Sequence, residues 1–152
     1  MNGNKPAKIT WLVIANAVKA DIYHINHKEH TLIETLNHPD SRLKTGDLTS
    51  DKPGSYRTDG SASGQYASTH SPHEDEKKHF AKEIADLLES KRQKHAFTAL
   101  IICSESHFHG LLNQQMTVSV RALVTKTIEK DYIPLPKVKL TAAINAIIHE
   151  GF

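Results

Sequence analysis

Cysteine is nearly absent from this chain: Cys103 is the only one in 152 residues. One thiol excludes an intrachain disulfide framework and favours a reducing, cytosolic setting. Long hydrophobic runs are missing as well. Nothing approaches the roughly 20 apolar residues that a membrane-spanning helix needs, so no membrane insertion is expected. The residues before Ile9 lack the apolar segment of a secretory signal. Nor does one sign of charge dominate: nineteen Lys and Arg face seventeen Asp and Glu, a formal balance of +2. That balance excludes a broadly basic chain of the kind that coats phosphate backbones. The chain reads as a cytoplasmic protein with one domain over residues 1–152, long enough to bury a core without staples. Eleven histidines are the unusual feature of composition, and they would add positive charge toward pH 6.

The apolar pattern orders the elements. Ile9 to Ala15 is a short apolar run that predicts a buried strand. Lys19 to Ile25 alternates, with Ala20, Ile22 and His24 on one face and Asp21 and Tyr23 on the other. A polar patch from Asn26 to His30 turns the chain, and Thr31 to Leu36 alternates again, so two hairpins join three antiparallel strands. The first helix carries the clearest signals. Ser71, Pro72 and Glu74 fall at N-cap, N1 and N3, a capping box with proline at its preferred position. Glu74, Asp75 and Glu76 open the helix and Lys91, Arg92 and Lys94 close it, as the helix dipole favours. Phe80, Ile84, Leu87 and Leu88 form the expected buried stripe.

A strand over Thr98–Cys103 follows, then a helix marked by Phe108, Leu111, Leu112 and Gln115. A strand around Ala122–Ile128 comes next, and after Pro134 and Pro136 a last helix is lined by Leu140, Ile144, Ile147 and Ile148. The order β-β-β-α-β-α-β-α predicts an α/β domain with a mixed sheet and helices packed on it. That is the order of ribonuclease H-like folds.

Between the third strand and the first helix lies a long polar insert, residues 38–72, with neither a strand nor a helix pattern. Inserts of that length inside a small domain are either functional or disordered. Arg42, Lys44, Lys52 and Arg57 could meet phosphate or carboxylate groups, although Asp40, Asp47, Asp51 and Asp59 nearly cancel their charge. Asp51-Lys52-Pro53-Gly54 has turn chemistry, and Ser61, Ser63 and Gly64 let backbone N–H groups approach a ligand closely.

Other chemistry fares less well. A two-metal nuclease needs several converging carboxylates. The first strand has none and is followed by Asn16, while Glu105 is the nearest acid beyond the fourth strand and Glu83 stands apart on a helix. His24, His27 and His30 straddle a turn and His107 and His109 flank Phe108, but neither set has the fixed spacing or further ligands of a zinc site. No metal or other cofactor is expected. Cys103 sits in an apolar strand and reads as a packed thiol, exposed only if the strand end is open.

Several blocks together resemble the bacterial host-attachment protein family: Trp11 to Asn16 with Ala20-Asp21-Ile22-Tyr23, His38 to Arg42, Asp47 to Gly54, and Phe80 to Ala85. Lys130-Asp131-Tyr132 looks like the family's Lys-Asp-Leu element ahead of the last helix. The resemblance implies kinship with the middle domain of archaeal and eukaryotic class I peptide-release factors. In those factors a Gly-Gly-Gln loop before the first long helix promotes hydrolysis of the peptidyl-tRNA ester. Here Ser63-Gly64-Gln65 holds the equivalent place with serine for the first glycine. By that resemblance Gln65 would position water and Gly64 would supply backbone freedom.

The reading is a host-attachment-type binding domain, neither a nuclease nor primarily an enzyme, engaging a ribosomal, tRNA or protein partner. Its candidate contact residues are Arg42, Asp51, Lys52, Pro53, Gly54, Arg57, Ser63 and Gly64. The enzymatic alternative is peptidyl-tRNA hydrolysis with Gln65 as the catalytic residue. A third reading is an adhesion-regulating interaction module with no RNA role.

Overall fold

The computed structural model describes residues 8–38 and 72–152. Among the described residues nine elements follow one another: β1 (Thr10–Ala15), β2 (Lys19–Asn26), β3 (Glu29–Asn37), α1 (Pro72–Gln93), β4 (Ala99–Cys103), α2 (Ser106–Gln115), α3 (Val118–Arg121), β5 (Val124–Ile128) and α4 (Lys137–Glu150). The five strands form one open mixed sheet in the order β3-β2-β1-β4-β5. β1 pairs antiparallel with β2 and parallel with β4, β2 pairs antiparallel with β3, and β4 pairs parallel with β5.

β1 and β4 are buried at every position and apolar apart from Thr10, because both faces of the sheet are covered there. Trp11, Val13 and Ala15 of β1 join Leu100 and Ile102 of β4 in a core shared with Phe80, Ile84 and Leu88 of α1 and Phe108 and Leu112 of α2. Leu12 and Ile14 point the other way, with Ile101 and Cys103, onto Ile144 and Ile147 of α4. The two-residue period of a strand thus divides each apolar run between two cores.

α1 buries Phe80, Ala81, Ile84, Ala85 and Leu88, five positions on one helical stripe. Leu87, expected in that stripe, is only half-buried at its margin. The helix ends where His95 turns left-handed at φ 60°. The Ala96 N–H then donates to the Lys91 carbonyl (2.9 Å) and the His95 N–H to the Arg92 carbonyl (2.9 Å), a Schellman cap built on histidine instead of glycine.

Two features depart from the sequence reading. A short helix, α3, precedes β5, so that strand begins at Val124 and not at Ala122. Its cause is local: the Thr117 hydroxyl accepts from the Val120 N–H (3.1 Å), nucleating one helical turn, and donates to Glu89 of α1 (2.9 Å). The polar patch at Asn26–His30 narrows to the two-residue turn His27–Lys28, with His27 at φ 58°, and the strands extend on both sides of it. β3 also contains an irregularity at Ile33, which has no partner in the register that joins Glu34 to Ile22 and Leu32 to Tyr23.

Candidate functional site at the carboxyl end of the sheet

Strands β1, β3, β4 and β5 all run toward one end of the sheet, and the helices that follow β4 and β5 start there. In open α/β sheets this carboxyl end is where ligands bind. The residues that emerge there are polar: Asn16 after β1, His38 after β3, Ser104 and Glu105 after β4, and Glu129 and Asp131 after β5. α1 begins at the same end, because its first turns touch His38 and His107.

His38 is the most constrained of these side chains. Its backbone N–H donates to the Val18 carbonyl (2.9 Å), and its ring lies 5.1 Å from that of Phe80. Nε2 is 2.9 Å from Glu76 Oε1 and Nδ1 is 3.7 Å from Glu83 Oε1, with the imidazole only 10% exposed. The contact with the Glu76 carboxylate and the packing on Phe80 together hold the ring in position. Beside it a groove of about 580 Å³ runs along α1, lined by Glu76, His79, Lys82, Glu83 and Gln115 as well as His38.

A second contact of the same kind joins α2 to α1, with His107 Nε2 2.9 Å from Glu74 Oε2. Glu105 is the N-cap of α2 and accepts from the Phe108 N–H (2.6 Å) and the His107 N–H (3.0 Å). Burial pushes its pKa up, but those two N–H groups and the charges of His107 and Lys77 outweigh burial and hold it below the usual carboxylate value. Glu105 therefore serves the helix.

Asn16 also has a structural task. Its carboxamide oxygen accepts from the Val18 and Lys19 N–H groups (2.9 and 3.0 Å), closing the β1–β2 turn. Its amide donates to both oxygens of Asp131 (3.2 and 3.4 Å), which in turn accepts from the Ile133 N–H (3.0 Å). Two sequence blocks 115 residues apart are joined in this way, and Tyr132 packs against the core beneath α4. Ser106 Oγ donates to Glu129 (3.1 Å) across the β4 and β5 ends.

The histidines near the hairpin do not converge. His24 pairs with Trp11 in the register and His30 with Ile25, which places them on opposite faces of the sheet. The His30 ring instead meets Tyr23 edge-on at 5.6 Å. Among the described residues no group of three His, Cys, Asp or Glu side chains could hold a metal ion. Cys103 is fully buried, and burial pushes its thiol up to about 12, so it is a packed side chain and no nucleophile near neutral pH.

Arg42, Asp51, Lys52, Pro53, Gly54, Arg57, Ser63, Gly64 and Gln65 lie outside the described residues, as does Ser71, the expected cap of α1. The pairs that the fold does bring together, His38 with Glu76 and His107 with Glu74, were not singled out as pairs in the sequence. The available signal was the acidic head of α1, Glu74-Asp75-Glu76, which the sequence explains as a capping-box residue and a complement to the helix dipole.

This geometry defines an α/β protein whose polar carboxyl edge is tied together from four strands and two helices. A model of the family of proteins required for attachment to host cells matches residues 11–144, and the chain belongs to that family. No curated protein sequence matches the chain. Among the described residues no helix is long and apolar enough to cross a membrane.

Proposed function

We propose that this host-attachment-type protein works as a cytoplasmic binding domain, and that residues 39–71 contact its partner through Arg42, Asp51, Lys52, Pro53, Gly54, Arg57, Ser63 and Gly64. The partner class we favour is ribosomal or tRNA-bearing. The strand order β3-β2-β1-β4-β5 supports a ribonuclease H-like frame, and the kinship with the middle domain of peptide-release factors is what the family resemblance implies. The residues that would have to supply nuclease carboxylates at the strand ends have other work: Asn16 closes a turn, Asp131 is bonded to it, and Glu105 caps a helix.

One observation carries the reading. His38, the last described residue before the segment, sits 2.9 Å from Glu76, in the second turn of the helix that follows the segment. The described elements on either side of those residues, the end of β3 and the start of α1, therefore meet at the carboxyl edge of the sheet, the end at which open α/β folds bind ligands.

Sucrose-gradient sedimentation with bacterial ribosomes tests the proposal, comparing the wild type with a deletion of residues 56–69. Comigration that depends on residues 56–69 is the expected result. Hydrolysis of peptidyl-tRNA lost in Gln65→Ala would then identify Gln65 as catalytic. A wild-type protein that stays at the top of the gradient at low salt would overturn the ribosomal reading.

A further inference from the structure

The two edges of the sheet are built differently. β5 is five residues long and carries Lys126 at its centre, whose ammonium is bound by Glu150 at 2.7 Å. β3 is nine residues long and is exposed along almost its entire length. It contains no lysine and no proline, the residues by which edge strands are usually blunted. Leu32 is 50% exposed and Ile33 43%. On its outer side the strand pairs with no other strand among the described residues.

The irregularity at Ile33 sharpens the contrast. A bulge is one way to blunt an edge, but this one carries an exposed isoleucine where a guarding charge would be expected. Ile33 has no cross-strand partner on β2, and Leu32 beside it lies opposite Tyr23. Two adjacent aliphatic side chains thus stand at the middle of a strand whose outer side has no strand partner among the described residues.

We propose that β3 is a homodimerisation edge, pairing antiparallel with β3 of a second copy of this chain about a two-fold axis near Leu32 and Ile33. Such an interface is isologous, so the strand must be complementary to itself. It is. With the axis on Leu32, Glu29 falls opposite Thr35 and Glu34 opposite His30. With the axis on Ile33, Glu29 falls opposite Asn37 and Glu34 opposite Leu32. In neither register does acid meet acid, and the apolar pair lies at the centre. The two five-stranded sheets become one continuous sheet, with backbone hydrogen bonds giving affinity and the aliphatic pair adding specificity. A single strand edge belongs to the small interface class, on the order of 1,200 Å² or less, so the dimer is concentration-dependent.

The test combines mass measurement with crosslinking. Sedimentation equilibrium of the full chain at about 1 to 100 μM should show a shift from the 16.9 kDa monomer toward twice that mass. The double variant Leu32→Lys, Ile33→Lys should remain monomeric over the whole range. A second arm does not depend on that variant folding. Cys103 is fully buried, so Leu32→Cys or Ile33→Cys introduces the one accessible thiol. Mild oxidation should produce a covalent dimer from at least one of the two. Val118→Cys, at a position 72% exposed elsewhere on the surface, should give none. A wild type that is monomeric throughout, a dimer that survives the double lysine variant, or crosslinking no better than at Val118 would each overturn the proposal.

Discussion

The imidazole of His38 stands 2.9 Å from the Glu76 carboxylate, bridging the end of β3 to α1 across 38 positions of sequence. The same ring packs on Phe80, so one side chain joins the polar edge of the sheet to its larger core. The contact makes the carboxyl edge a fixed platform and not merely the place where strands stop.

Removing that side chain should therefore loosen the edge. His38→Ala is expected to cost about 1–3 kcal/mol, the range for a buried charge-assisted hydrogen bond lost together with its packing. Glu83→Gln, at a side chain 58% exposed, should cost less than about 0.5 kcal/mol. Urea denaturation of the two variants checks the ordering, and equal costs would show that the buried contact with Glu76 does not dominate.

Glu105 allows a pH-resolved test. Glu105→Ala should destabilise the domain by about 1 kcal/mol near pH 7, the usual cost of deleting an N-cap. The folded carboxyl has a lowered pKa, so its stabilisation exists above the unfolded value and disappears as the pH falls through the folded one. The gap between variant and wild type should shrink below about pH 4. Denaturation midpoints at neutral and acid pH measure it.

The core of α1 predicts a sharp contrast between neighbours. Leu88→Ala should cost about 2–5 kcal/mol because Leu88 is fully enclosed. Leu87→Ala should cost clearly less, since Leu87 lies at the margin of the stripe. Comparable losses in urea unfolding would mean that the helix is rotated from the orientation described.

His95 offers a gain. A residue other than glycine in the left-handed region costs roughly 1–2 kcal/mol, and His95 occupies it at φ 60°. His95→Gly should recover much of that and raise Tm by a few degrees. A lower Tm would indicate that the histidine ring contributes more than its backbone conformation costs.

Cys103 should be inert in the folded protein and should tie stability to alkaline pH. Its folded pKa, near 12, is raised above the unfolded value of about 8.5, so folding favours the protonated thiol. That stabilisation is complete below about pH 8.5 and is lost as the pH rises toward 12. Tyr23 and Tyr132 are also pushed up, chiefly by burial, and act in the same direction. Stability of the wild type should therefore fall more steeply between pH 9 and about pH 11 than that of Cys103→Ala, and the difference isolates the thiol. Parallel slopes would contradict its burial.

What could be read in advance follows physical range. β1, β4 and α4 were legible because an apolar run or a helical stripe records burial locally, residue by residue. The start of α1 was legible from Pro72 and the acids behind it. α3 was missed because Val118 and Val120 favour strands, and only the Thr117 hydroxyl and its bond to Glu89 make one turn of helix preferable. The His38–Glu76 contact was invisible for a different reason: each residue looks ordinary in its own neighbourhood, and only the fold brings them together. Asn16 and Asp131 illustrate the same limit. Their blocks were noticed separately, and the hydrogen bonds between them appear only when β1 and the segment after β5 share one edge.

The central claim is that residues 39–71 bind a partner while the described fold holds their ends. It is tested most directly by ribosome co-sedimentation of the triple variant Arg42→Glu, Lys52→Glu, Arg57→Glu beside the wild type, with Tm measured for both. The account predicts wild-type comigration, loss of comigration in the triple variant, and Tm values within about 2 °C of each other, as for substitutions in a polar stretch of sequence without an apolar pattern. Equal comigration of the two proteins would contradict it.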